Sequence, residues 1–426
     1  MADLLAVYMD GLRCGTLHLA DSGDLRFIYD AAYRQRADAT ALSLSMPLGV
    51  VEHRKRVVLP FLDGLITDNP AARAAIARRF GVSAANPFAI LRHTGADVAG
   101  ALQIVPEDVQ PTDAESDRGR SQSLSEAEVA AQLRAVIDEY RDGRAPAELL
   151  GRFSLAGAQP KTALVRTPDN RWAVPIGATP TTHILKPVVG DFRRLDVVEH
   201  MTMRAAAVLG LPVADSELRV FGDIPTFVVA RYDRRFVNGE WRRLHQEDLG
   251  QSLAVSPEKK YQRHDGGPGV GDVAQLFRGL PRQADRSATA WAFYQGLMFN
   301  TVIQGTDAHI KNYSVMLDGS AVALAPLYDL ATFAPYRSAG VPTYSAMRIG
   351  KEYRFDAIGE RQCLAAAAQL RIDSDRAAEF LEGLRGSVVD AFGAAREEIT
   401  AMDSATREFA DLVVTSVAGL PLVRGA

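Results

Sequence analysis

Asp307 and Asn312 stand five residues apart in the run Gly305-Thr306-Asp307-Ala308-His309-Ile310-Lys311-Asn312-Tyr313-Ser314. A second, mostly apolar stretch, Leu324-Ala325-Pro326-Leu327-Tyr328-Asp329-Leu330, presents another aspartate. A carboxylate can take the proton of an acceptor hydroxyl. An amide oxygen and a second carboxylate are the hard donors that Mg²⁺ prefers. D-x-x-x-x-N, with an Asp placed after a strand–turn–strand, is therefore a phosphoryl-transfer arrangement, with Asp307 the candidate base and Asn312 and Asp329 the candidate metal ligands. The structural alternative is that Asp307 and Asn312 form turns and Asp329 a cap. Spacing and expected elements together favour the chemistry.

Transfer also needs the nucleotide held. Lys186 ends the apolar run Thr182-His183-Ile184-Leu185-Lys186, and Glu199 on the next helix is placed to orient it through an ion pair. The alternative makes both solvent-facing. Ser154-Leu155-Ala156-Gly157-Ala158-Gln159-Pro160-Lys161 is a small-residue loop whose backbone N–H groups can approach phosphates, although it matches neither glycine-rich nucleotide motif and also reads as a plain turn. His309 lacks partners at zinc-like spacing, so a polar contact to phosphate or to its own loop fits it better. Lys311 is either a phosphate contact or a solvated lysine. In Ala230-Arg231-Tyr232-Asp233-Arg234, Ala230 and Tyr232 are candidates for an adenine-binding hinge, Asp233 and Arg234 for structural salt links. Gln246-Glu247-Asp248 and Asp265-Gly266-Gly267-Pro268-Gly269 stand out as patterns without an assignable role.

These residues need a scaffold, and 426 residues allow two or three domains. A net charge of -4 gives no global attraction to nucleic acid or anionic membranes. With Cys14 and Cys363 the only cysteines, a disulfide framework and a thiolate zinc cluster are excluded. The opening residues lack the basic stretch of a signal peptide, and no run of about 18 apolar residues occurs, so a cytoplasmic chain without a membrane span is expected.

Residues 4–30 read as a β-meander with a turn at Asp10-Gly11. A helix should start at Pro70 under an Asn69 cap and end at Gly81. The acidic segment 106–124 reads as a linker between an N-terminal β-rich subdomain (1–105) and a small-lobe region (125–235). Ser125 and Glu128 predict a capping box, with Val129, Leu133, Val136, Ile137 and Tyr140 as one apolar stripe. Residues 153–165 suggest a hairpin around Gly157. A helix over 195–209, strands over 217–221 and 226–232, and a hairpin through Asn238-Gly239 complete the elements read around the small lobe. A mainly helical catalytic lobe (236–426) comes next, clearest at 288–303, 377–384 and 405–417.

Taken together, residues 153–159, 182–187, 231–234, 244–248, 265–269, 306–314 and 327–329 resemble, in order, the motifs of the HipA family, the serine/threonine-kinase toxins of bacterial toxin–antitoxin modules. The resemblance covers nearly the whole chain. It implies an α+β, kinase-like two-lobed fold, ATP and Mg²⁺. Asp307 is then the base, Asn312 and Asp329 hold the metal, and Lys186 meets the phosphates. Ala156, Gly157, Ala158, Gln159, Lys161, Ala230, Tyr232, His309, Lys311 and Tyr328 join the nucleotide site. Ser154 matches the serine that this family autophosphorylates to disable ATP binding. The implied substrate is an aminoacyl-tRNA synthetase such as glutamate–tRNA ligase, and the implied partner a HipB-like helix-turn-helix antitoxin that carries operator DNA. Pro160 departs from the family pattern and removes an N–H from the loop. The Tyr328-Asp329 pair lacks the glycine that follows it in ordinary protein kinases. Two alternatives stand beside the kinase: a catalytically idle nucleotide-binding scaffold of an antitoxin–DNA complex, and a metal-dependent hydrolase using Asp307, His309 and Asp329.

Overall fold

The computed structural model describes residues 3–109, 120–142, 156–157, 159–176, 179–190, 192–399 and 402–425. Contacts group the chain into two compact units: Met1–Val189 with Arg219–Glu258 and Met316–Ser320, and Gly190–Leu218 with Lys259–Val315 and Ala321–Ala426.

The first unit opens with the expected meander of β1 (Asp3–Met9), β2 (Leu12–Leu19) and β3 (Leu25–Tyr29). With β4 (Glu52–Arg54) and β5 (Leu102–Pro106) it forms an antiparallel sheet ordered β4-β3-β2-β1-β5. Asp10 and Gly11 both take positive φ in the first turn, which only a turn-prone pair tolerates cheaply. The sheet and the helices Lys55–Gly64 and Pro87–Thr94 bury Phe27, Phe61, Leu62 and Phe88 in one core. The helix Pro70–Phe80 forms as expected: the Asn69 side chain accepts from the N–H groups of Ala71 and Ala72, and Gly81 closes the helix at φ 64°.

A second sheet joins β6 (Ser121–Leu124), β7 (Thr162–Arg166), β8 (Trp172–Pro175), β9 (His183–Pro187), β10 (Ser216–Phe221) and β11 (Ile224–Ala230) in the order β10-β11-β9-β7-β8-β6. The helix Glu126–Asp142 packs Val129 and Leu133 against Leu164, Trp172 and Val228. Its Ser125–Glu128 box forms, while Tyr140 lies off the buried stripe and is exposed. One local expectation changes. The last four residues of the 106–124 segment form β6, pairing with β8 through backbone groups that need no apolar periodicity. A hairpin joins β7 and β8, turning at Asn170 with φ 63°. The first arm of the hairpin expected around Gly157 lies outside the described residues.

The second unit is built on the helices Leu195–Val208, Gln283–Val302, Ser374–Glu397 and Ser404–Ala418. Leu195–Val208 packs on Ser374–Glu397 and Ser404–Ala418, so it belongs to this unit although its place in the sequence put it in the small-lobe region. Residues 377–384 are only part of a 24-residue helix. Gly383, Gly386 and Gly393 weaken its local propensity, and burial of Leu381, Leu384, Val388 and Phe392 overrides them. The chain is α+β, as expected. Among the described residues, no helix is long and apolar enough to cross a membrane.

Candidate active site

The Asp307 loop leaves the Gln283–Val302 helix through a tight exit. A Cβ on Gly305 would lie 2.4 Å from Asn300 Oδ1, so the turn requires glycine. The Asn300 amide in turn donates to Tyr313 Oη at 3.0 Å, linking helix to loop. Asn312, at the end of the 3₁₀ turn Ile310–Asn312, donates its Nδ2 to the backbone oxygen of Asp307 at 2.7 Å. That bond fixes the Asp307 main chain and uses only the nitrogen of the Asn312 amide, whose oxygen has lone pairs suited to a cation.

Asp307 itself is 64% exposed, while the neighbouring His309 side chain is 4% exposed. The Tyr261 hydroxyl donates to Asp307 Oδ1. His309 Nε2 stands 3.7 Å from the same oxygen, and its ring meets the Tyr261 ring edge-on at 4.9 Å. Lys311 is buried, which removes its solvated reading. Tyr328 Oη donates to the Lys311 carbonyl at 2.8 Å and lies 2.6 Å from Ser314 Oγ, so Ser314 supplies the other proton. Tyr328 therefore uses its hydroxyl to brace the loop. Its neighbour Asp329 holds φ 51°, an unusual left-handed conformation for a non-glycine residue. The backbone is tied on either side of it: Leu327 N donates to Pro212 O at 2.8 Å, and Phe333 N to Gln304 O at 3.2 Å. The amide oxygen of Asn312 and the carboxylate of Asp329 are the oxygen donors that suit Mg²⁺. Among the described residues, no three His, Cys, Asp or Glu side chains gather as a metal cluster.

In the first unit, Gly157 takes φ 101°, and a Cβ there would lie 2.5 Å from Lys161 Nζ. The ammonium of Lys161 donates to Ala156 O at 2.5 Å. The Gly157 carbonyl accepts from Thr67 Oγ1 at 2.9 Å and from Asp68 N at 3.3 Å, which anchors the small-residue loop on the N-terminal region. Gln159 is exposed beside it, and Pro160 is buried. Ser154 and Ala158 lie outside the described residues. Lys186 is buried on β9 opposite Phe227 of β11, its Nζ 5.4 Å from that ring's centroid. Burial overturns the solvent-facing alternative for Lys186, and Glu199 on its own helix is equally buried.

Ala230 ends β11 opposite His183, and Tyr232 Oη donates to Gln246 Oε1 at 3.0 Å. Between them the chain enters a buried ionic cluster. Arg231 donates to both Asp233 oxygens, at 3.0 and 2.9 Å, and Arg234 Nη2 reaches Asp97 Oδ1 at 3.0 Å. Asp97 also accepts from Thr181 Oγ1 at 2.6 Å, and Arg243 adds a third guanidinium at 3.4 Å. Burial opposes the charge on Asp97, but Arg234, Arg231 and Arg243 hold its carboxyl well below the usual range. Asp233 and Arg234 are structural salt links.

The Gln246-Glu247-Asp248 pattern is also structural. Glu247 Oε1 accepts from Leu44 N and Ser252 Oγ, both at 2.8 Å, and Asp248 forms a capping box with Gln251. Sequence reading missed Asp97, which lies far from the motifs in the chain, and Tyr261. The only signal for Tyr261 was the adjacent Asp265–Gly269 pattern.

Residues 5–105 match the family described as HipA N-terminal domain, and residues 153–392 match the HipA-like C-terminal domain. The chain belongs to the HipA family. It is 39% identical over 351 residues to "Putative kinase Y4mE" of Sinorhizobium fredii, covering 82% of this chain and 81% of that one. It is 32% identical over 309 residues to the serine/threonine-protein kinase toxin HipA of Shewanella oneidensis, covering 69% of this chain and 67% of that protein. A solved structure of HipA with HipB and operator DNA from the same organism aligns over 99% of both chains, with a TM-score of 0.80 at 24% identity. That likeness establishes the HipA fold for this chain.

Proposed function

We propose that the chain is an ATP-dependent serine/threonine protein kinase acting as the toxin of a toxin–antitoxin module. The observation that carries this reading is the Asp307 loop: an exposed carboxylate on a backbone pinned by Asn312, in the same unit as the constrained Asp329. Asn312 and Asp329 would hold Mg²⁺, and Lys186, Lys161 and the loop at Gly157 the phosphates of ATP. The bound cation would neutralise charge on those phosphates. Asp307 accepts the proton of an acceptor hydroxyl as that oxygen bonds to the terminal phosphorus and the bond to ADP breaks. His309 and Lys311 shape the loop that presents Asp307.

The substrate is an aminoacyl-tRNA synthetase such as glutamate–tRNA ligase, whose modification would halt translation and arrest growth. The partner is a HipB-like antitoxin that carries operator DNA, in keeping with the HipA–HipB–DNA assembly of the Shewanella oneidensis relative. Phosphate on Ser154 would add up to about two negative charges to a loop that must approach ATP, which makes autophosphorylation inactivating. Incubation with labelled ATP and Mg²⁺ tests the reading. Label on Ser154 and on a synthetase in a cell lysate is expected. No transfer to the chain or to any cell protein overturns the kinase and leaves the nucleotide-binding scaffold.

A further inference from the structure

We propose that Tyr261 is a positioning residue for Asp307: its phenol holds one carboxylate oxygen so that the other faces the acceptor hydroxyl. The proposal rests on the reading of Asp307 as the base. Oδ1 of Asp307 accepts from Tyr261 and has His309 Nε2 at 3.7 Å. Among the described residues, none forms a hydrogen bond to Oδ2. An exposed carboxylate rotates freely about its side-chain torsions, and proton transfer needs it within hydrogen-bond reach of one particular hydroxyl. Asn312 fixes only the Asp307 main chain. Tyr261 supplies the missing restraint on the side chain.

Tyr261 is itself held by a built device. Its N–H donates to Asp265 Oδ2 at 3.2 Å, and its carbonyl accepts from the N–H groups of Asp265 and Gly267, each at 3.2 Å. Gly267 passes so close to the Lys259 carbonyl that a Cβ would lie 1.9 Å from it. At Gly269 a Cβ would lie 2.2 Å from the Gln262 amide nitrogen. The ring is fixed edge-on against buried His309, and the Lys260 ammonium lies 5.6 Å from its centroid. The Asp265–Gly269 pattern, without a role in the sequence, thus becomes the clamp on the backbone that carries Tyr261.

The test is Tyr261→Phe in the full chain, which keeps the ring and removes the hydroxyl. Transfer of label from Mg²⁺-ATP to the chain itself is followed alongside the wild type and Asp307→Asn. The expected result is a fall in the maximal rate constant of self-labelling of about tenfold or more, with the half-saturating ATP concentration and Tm unchanged. An unchanged rate constant overturns the proposal. So does a fall accompanied by a raised half-saturating ATP concentration or a lowered Tm, which is what a merely structural contact would give. In both cases an inactive Asp307→Asn keeps the kinase reading standing. If Asp307→Asn retains full transfer, the reading of Asp307 as the base falls and this proposal with it; if the wild type transfers nothing, the kinase reading falls as well.

Discussion

Asp97 and Asp307 are the same residue in opposite settings. Asp97 is buried, and three guanidiniums and a threonine hydroxyl occupy its oxygens. Asp307 is mostly exposed, and one of its oxygens is held by a single tyrosine. In the first setting ionisation is stabilised by neighbours that cannot leave, so the carboxylate fastens residues 97–100 to the Arg231–Arg234 segment of the same unit. In the second, acceptor capacity is left over, and a substrate hydroxyl can use it. What separates the structural carboxylate from the one proposed to act chemically is how much of its hydrogen-bonding capacity the fold has already consumed.

One substitution made at both places tests the contrast most severely. Asp97→Asn strands buried arginine charge and should lower unfolding free energy by about 3–5 kcal/mol, read from denaturant midpoints. Asp307→Asn should leave that midpoint within about 0.5 kcal/mol while transfer falls about 10²–10⁴-fold. If Asp97→Asn is as stable as wild type, the cluster is not the fastening inferred.

Glu247 gives an intermediate case, buried like Asp97 but, among the described residues, without a cationic partner. Burial pushes its carboxyl up from 4.5 to about 7, against the hydrogen bonds from Leu44 and Ser252 and with help from the Asp248 charge. The folded chain favours the protonated form. Its stabilising contribution is therefore full below pH 4.5 and is lost as pH rises through about 7. Glu247→Gln should flatten this dependence, by up to about 3 kcal/mol between the two limits, in urea melts at acid and neutral pH. The smallest expected effect is at Asp329. Asp329→Asn should abolish the thermal stabilisation by Mg²⁺-ATP, which is worth about 2.7 kcal/mol at ligand a hundredfold above Kd. An unaltered shift would remove Asp329 from the proposed metal site.

The elements of the first unit were readable because their signals are local: Asp10-Gly11, Asn69-Pro70 and Ser125–Glu128 each act within a few residues. The Ser374–Glu397 helix was read too short because its glycines are local while the burial that overrides them is not. Ser121–Leu124 hid as linker because an edge strand with polar faces carries no hydrophobic pattern. At the candidate site, spacing and expected elements together singled out Asp307, Asn312 and Asp329 for the proposed chemistry.

The sequence by itself determined the residue types of the loop, their separation and the family to which the chain belongs, since these need only the order of side chains. Tertiary structure decided which charges are spent. Asp97 meets Arg234 across 137 positions, and Tyr261 meets Asp307 across 46. Such pairings are set by packing, and periodicity in a single segment holds no record of them.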